Sequence, residues 1–115
     1  MKEGNIIVEK SYAFALEIMN IAKAIRGQRE YDLASQLWRA GTSIGANVEE
    51  AQAGQSRADF RSKMSIASKE AREIHYWLRL TRDGEVLPEE ALKEILTEIE
   101  SIRRILTSIV QSAGE

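Results

Sequence analysis

The sequence predicts an all-α protein, an antiparallel up-down-up-down four-helix bundle. Three observations lead there. Four segments carry apolar residues at helical spacing, the linkers between them are a few residues each, and no stretch shows the strict alternation of a half-buried strand. Linkers that short make neighbouring helices antiparallel. At 115 residues the chain suits one domain over its full length, 1–115, with a single core.

The first helix is expected from about Asn5 to Arg26, with Ile7, Phe14, Ile18, Ile21 and Ile25 on one face and Gly27 ending the run. The second is expected from about Asp32 to Ala53, along Leu33, Leu37, Ala40, Ile44, Val48 and Ala51, with Gly54 closing it. The third opens at Ser56, with Asp59 three residues on as a capping-box variant. Phe60, Met64, Ala67, Ala71, Ile74 and Leu78 make its stripe, and Asp83-Gly84 stops it. The fourth opens at Pro88-Glu89-Glu90, a proline at a first helical turn followed by acids that suit the helix dipole. Leu92, Ile95, Ile99, Ile102, Leu106 and Ile109 alternate steps of three and four, the seam spacing of a bundle. Phe14, Ile44, Met64, Ile74, Ile99 and Leu106 are expected in the core.

Composition narrows the chemistry. There is no cysteine, hence no disulfide and no thiolate metal site. The opening MKEGNIIVEK has no apolar run of signal-peptide length, and no segment approaches the ~18 apolar residues of a membrane span, so a cytoplasmic protein is expected. Net charge is −2, and the sign alternates along the chain. Residues 1–29 carry +2, 30–56 carry −3, 57–84 carry +3 and 85–115 carry −4. Such alternation favours attraction inside a bundle, or a local basic surface on the third segment.

Two helices carry more than one line of interest. The second contains RAGTSIGANVEEAQ, with Gly41 and Gly45 where each mid-helix glycine costs about 0.5–1 kcal/mol against alanine. At about 100° per residue, Ala34, Trp38, Gly41 and Gly45 fall about 90° from the core stripe. They mark either close packing within the bundle or a groove for a neighbouring subunit. GTSIG lacks the lysine and the strand-loop-helix setting of a phosphate-binding loop. On the third helix Ile66, Trp77 and Leu80 lie about 130° from the core centre. A single bundle would leave them and Trp38 exposed, which marks a partner surface. Trp38, Gly41, Gly45, Trp77 and Leu80 are therefore the expected subunit contacts of a homo-oligomer.

The third helix also carries a polar line: Arg57, Arg61, Ser65, Ser68, Arg72, His75, Arg79 and Arg82 within about 100° of arc. It is either a solvated face paired with acidic neighbours or a contact for phosphates, which guanidiniums grip in pairs of hydrogen bonds. On the second alternative Arg57, Arg61, Arg72, Arg79 and Arg82 would grip a phosphate backbone, with Tyr76 placed to stack on a base. Enzyme chemistry is hard to find. His75 is the single histidine, and arginine stands three residues before it, where a di-iron bundle needs glutamate. Glu49-Glu50 and Glu89-Glu90 are adjacent and point to different sides of a helix, which ill suits paired acid-base work. No enzyme, cofactor, metal or small-molecule substrate is expected.

RAGTSIGANVEEA resembles a signature of the four-helix-bundle 23S rRNA intervening-sequence proteins, approximately R-A-A-x-S-I-P-x-N-I-A-E-G. Arg39, Ala40, Ser43, Ile44, Asn47 and Glu50 match it, while Gly45 stands where the family usually has proline and Ala51 where it often has glycine. Phe60, Arg61, Ile66, Ala67 and Glu70 match a following F-R-x-x-x-x-I-A-x-x-E pattern, and YWLRL continues in the family's style. The resemblance implies a bacterial helical bundle with no established enzymatic activity, of a kind encoded within insertions in large-subunit rRNA genes. Related retroelement accessory proteins form ring-like pentamers with a positive surface that contacts nucleic acid. From this a pentamer and an RNA partner are the expectations. A purely structural or protein-binding bundle is the other one.

Overall fold

A computed structural model describes residues 2–114, with side chains from residue 6 onward. The described residues form four helices: α1 (Lys2–Gly27), α2 (Tyr31–Gln52), α3 (Arg57–Asp83) and α4 (Glu89–Ala113). No strand occurs among the described residues. The molecule measures 44 × 20 × 18 Å, about the length of one helix and the width of two. α1 packs on α2 and α4, and α3 packs on α2 and α4, with no contact across either diagonal among the described residues. Residue pairs across the seams run in opposite order. Ile18 meets Gly41 and Ser11 meets Gly45, Glu50 meets Lys63 while Arg39 meets Glu70, and Arg57 reaches Ala113 while His75 reaches Glu100.

The apolar stripes fill the centre. Phe14, Ile44, Met64, Ile74, Ile99 and Leu106 are fully buried, as expected of them. Leu33, Phe60 and Ile21 are only half-buried, at the edge of that core. The stripe of α2 is rotated toward α1, so Ala34 is buried where Leu33 was expected to be.

The helix ends depart from expectation in an instructive way. Ser56 caps α3 as predicted, its hydroxyl accepting the Asp59 N–H at 3.0 Å. Pro88 is not in the first turn of α4. It is the cap, with an extended backbone, and α4 begins at Glu89. Gly27 does not end α1 by a left-handed turn, since no described glycine has positive φ. Arg29, at φ 64, and Glu85, at φ 58, hold the left-handed positions instead. Each sits in a pair of bonds that seals a helix C-terminus. Arg29 N–H reaches Arg26 O and Glu30 N–H reaches Ile25 O; Glu85 N–H reaches Arg82 O and Val86 N–H reaches Thr81 O.

The two glycines of α2 face α1 of the same chain, the close packing within the bundle that was one of the two readings of them. A Cβ at Gly41 would lie 2.6 Å from Ile18 Cγ2, and one at Gly45 would lie 3.3 Å from the Ser11 carbonyl oxygen. Ser11 is fully buried and its hydroxyl donates to Val8 O, which keeps that crossing small and satisfied. Both glycines are buried in the α1–α2 seam. Close approach of two backbones within the bundle is their use.

Candidate nucleic-acid interface

The arginine line on α3 faces α4, and the bundle divides it. At the α3 N-terminus, Arg57 donates from Nε to Ala113 O at 3.1 Å and from Nη2 to Ser112 O at 3.2 Å. These are carbonyls of the last turn of α4, which accept no further helical bonds and favour a cation. Arg61 lies against the same helix end, its Nε 3.0 Å from where a Cβ on Gly114 would sit. At the other end Arg82 is tied to Asp83, Nε to Oδ1 at 2.8 Å, which raises the arginine's pKa and lowers the aspartate's. Arg79 stacks over Tyr76, 5.9 Å from its ring centroid. Tyr76 also meets Trp77 edge-on at 5.1 Å, so its ring is engaged within the chain. Arg57 and Arg82 are thus committed to the fold, and of the five only Arg72 stands at mid-helix beside an open groove.

That groove lies between α3 and α4 and encloses about 310 Å³. Arg72 and Ser68 line it from α3; Glu100, Arg103, Arg104, Thr107, Ser108 and Gln111 line it from α4. Three guanidiniums face one carboxylate there. Among the described residues Arg72 and Arg104 have no carboxylate within ion-pair distance. Sequence reasoning missed Arg103 and Arg104. Their segment is strongly acidic, and its net charge hides a face on which Glu100, Arg103, Thr107 and Gln111 recur at steps of three and four.

Beside the groove, His75 bridges the two helices. Its Nε2 lies 2.8 Å from Glu100 Oε1, and Arg103 Nη1 lies 3.3 Å from its Nδ1. Arg103 also donates to Glu100 Oε1 at 3.0 Å. An arginine can only donate, so Nδ1 accepts and Nε2–H donates to the carboxylate, which fixes a neutral tautomer. Burial holds the His75 pKa below 6.5; Glu100 opposes that shift, and Arg103, Arg79 and Arg82 reinforce it. His75 therefore sets the position of Arg103 without adding charge at neutral pH.

The expected subunit contacts fall into two places. Arg39, beside Trp38, turns to α3 and pairs with Glu70 and Glu73, and Glu73 accepts the Trp77 indole N–H at 3.0 Å. Trp38 turns the other way, onto a groove between α1 and α2. Trp77 is half-buried, whereas Trp38 (40%), Ile66 (39%) and Leu80 (41%) keep large exposed fractions. Leu80 and Ile66 share the outer face of α3, apart from Trp38. No group of three or more His, Asp or Glu side chains among the described residues is placed to hold a metal ion.

The sequence model of one family matches residues 3–108, a stretch that contains all four stripes but for Ile109 and both grooves but for Gln111. The chain belongs to the 23S rRNA-intervening sequence protein family. Among solved structures, this intervening-sequence protein is similar to a Bacteroides thetaiotaomicron VPI-5482 protein of unknown function, described as from the S23 ribosomal protein family. The two are 41% identical, with a TM-score of 0.89 over 95% of this chain and 98% of that one. No curated protein sequence matches. No helix of this intervening-sequence protein is long and apolar enough to cross a membrane among the described residues.

Proposed function

We propose that the chain is a non-enzymatic, antiparallel up-down-up-down bundle that binds structured RNA by gripping backbone phosphates in the α3–α4 groove. The carrying observation is the convergence of Arg72, Arg103 and Arg104 with the hydroxyl-bearing Ser68, Thr107 and Ser108 along one open groove. Guanidiniums pair with phosphate oxygens through parallel hydrogen bonds, and hydroxyls add donors of the right reach. No aromatic side chain lines the groove, so its contacts read the backbone rather than the bases. Membership of an rRNA-associated family supports RNA as the polymer. The test is a titration with a duplex-containing RNA at low salt, for the wild type and for Arg72→Glu combined with Arg104→Glu. Both positions are exposed, so the double variant keeps its helicity. Its affinity falls at least roughly tenfold, because two attractive contacts become repulsive. Equal binding by the variant overturns the proposal.

Self-association is part of the same reading and rests on the exposed Ile66 and Leu80 of α3 beside half-buried Trp77. A pentamer is the stoichiometry that the family resemblance suggests. Copies joined through this face present their grooves repeatedly, which raises affinity for a long polymer through effective concentration. Light scattering reports an oligomer for the wild type and a smaller species for Ile66→Glu with Leu80→Glu; a monomeric wild type at tens of micromolar contradicts it. The alternative of a purely structural or protein-binding bundle is favoured if the oligomer forms and no RNA binds.

A further inference from the structure

A second groove lies between α1 and α2, across the bundle from the α3–α4 groove. It encloses about 400 Å³, within the range of about 300–1,000 Å³ typical of small-ligand sites. Its floor is made by Ala22 (3% exposed) and Ala34 (7%), two small side chains that leave the hollow between the helices. Trp38 walls it with an exposed indole. Ser35 adds a hydroxyl, and Lys23 and Arg26 reach its rim from α1. No carboxylate is in the lining. Arg39 at the far edge is bound to Glu70 and Glu73, but Lys23 and Arg26 have no carboxylate partner among the described residues. Nor does the Trp38 indole N–H have a protein acceptor there.

From this geometry we infer that the α1–α2 groove binds a nucleotide, with the base stacked on Trp38 and the phosphate held by Lys23 and Arg26. Each part follows from one feature of the groove. An exposed indole beside two small alanines offers a planar ring a surface to stack on, and stacking on an aromatic face is indifferent to which base it is. Among the described residues Lys23 and Arg26 have no carboxylate to balance them, Arg26 lying only over the Tyr31 ring at 5.7 Å from its centroid, so the rim favours an anion over a cation. About one turn of α1, roughly 6 Å, separates Ala22 from Arg26 along the groove, a span on the order of that from a nucleotide's ring to its phosphate. An aliphatic anion would leave the indole uncovered, and a neutral ring would leave both cations without a counter-charge. The site does not depend on the α3–α4 groove, and association through Ile66 and Leu80 leaves it open.

The test uses the two indole N–H resonances of the full chain, that of Trp38 assigned with Trp38→Phe. Adenosine 5′-monophosphate at millimolar concentration shifts the Trp38 signal saturably and leaves that of Trp77, bonded to Glu73, nearly still. Adenosine alone and inorganic phosphate alone bind at least roughly tenfold more weakly, as each keeps half of the contacts. Lys23→Glu with Arg26→Glu, both exposed positions, weakens the nucleotide by at least the same factor. Arg72→Glu with Arg104→Glu leaves it unchanged, which separates this site from the RNA groove. A 5′-phosphorylated oligonucleotide that shifts Trp38 identifies the ligand as a strand end; a shift by the mononucleotide alone identifies a free nucleotide. No saturable shift of Trp38, or an equal shift in the Lys23 and Arg26 variant, overturns the inference.

Discussion

Arg29 and Glu85 occupy left-handed backbone at the two α-helix ends sealed by paired carbonyl bonds. A side chain there costs about 1 kcal/mol or more, a penalty glycine does not carry. Glycine also loses more freedom on folding, so the net gain from Arg29→Gly or Glu85→Gly is about 0.5–1 kcal/mol. Thermal unfolding of each variant should show a higher midpoint; a lower one would mean the side chains contribute contacts beyond the turn. A third position, Glu17, shows the opposite kind of tension. Burial first, then Glu98 and Glu94 of α4, raise its pKa above 4.5, so its ionised form is disfavoured in the fold. At neutral pH Glu17→Gln removes that charge and should stabilise the protein. The gain should shrink as pH falls and the wild-type carboxyl takes up its proton. His75 contributes with another sign. Its folded pKa lies below 6.5, so the unfolded chain binds the proton more readily. Its stability contribution is complete above pH 6.5 and is lost as pH drops below that value, and His75→Gln should flatten this window in urea melts.

At the scale of elements, two opposing effects meet in the α1–α2 seam. Gly41→Ala should gain about 1 kcal/mol of helix propensity. It also drives a methyl group to 2.6 Å from Ile18 Cγ2 and 3.0 Å from Ile18 Cβ. Ile18 Cβ is fixed by the backbone and cannot swing aside, so the helices must separate, a change that costs about 1–3 kcal/mol. Crowding wins, and Gly41→Ala should lower the urea midpoint. A higher midpoint would show that the seam has room. By contrast Ile99→Ala in α4 should cost about 2–5 kcal/mol through the cavity it leaves in the core. The apolar period made every helix legible, since burial of one face is what the period encodes. It did not show what lies opposite the second line on α2. A small residue off the core face fits a neighbour in the same chain or in another, and only the α1 register, Ile18 on Gly41 and Ser11 on Gly45, decides between them. Nor did composition mark Arg29 and Glu85, since left-handed turns announce themselves through glycine and here have none.

For the whole molecule, charge is the variable that matters. The alternation of sign by segment suggested that α4 would quench the arginines of α3. The structure places the quenching at the ends and in the middle of one seam: Arg57 on the α4 carbonyls, Arg82 on Asp83, and Glu100 shared by His75 and Arg103. The two arginines of α4 that escape segment averaging stand opposite Arg72 and make the groove basic. Net charge described the chain and not the groove, because potential is set by which side chains face one another. The direct test is therefore the salt dependence of RNA binding by the wild-type protein. Each phosphate neutralised contributes about −0.9 to the slope of log affinity against log salt concentration, so two or three contacts per subunit predict a slope of about −2 to −3, steeper if several subunits engage one RNA. A slope near zero, with binding that persists unchanged at high salt, would contradict the account.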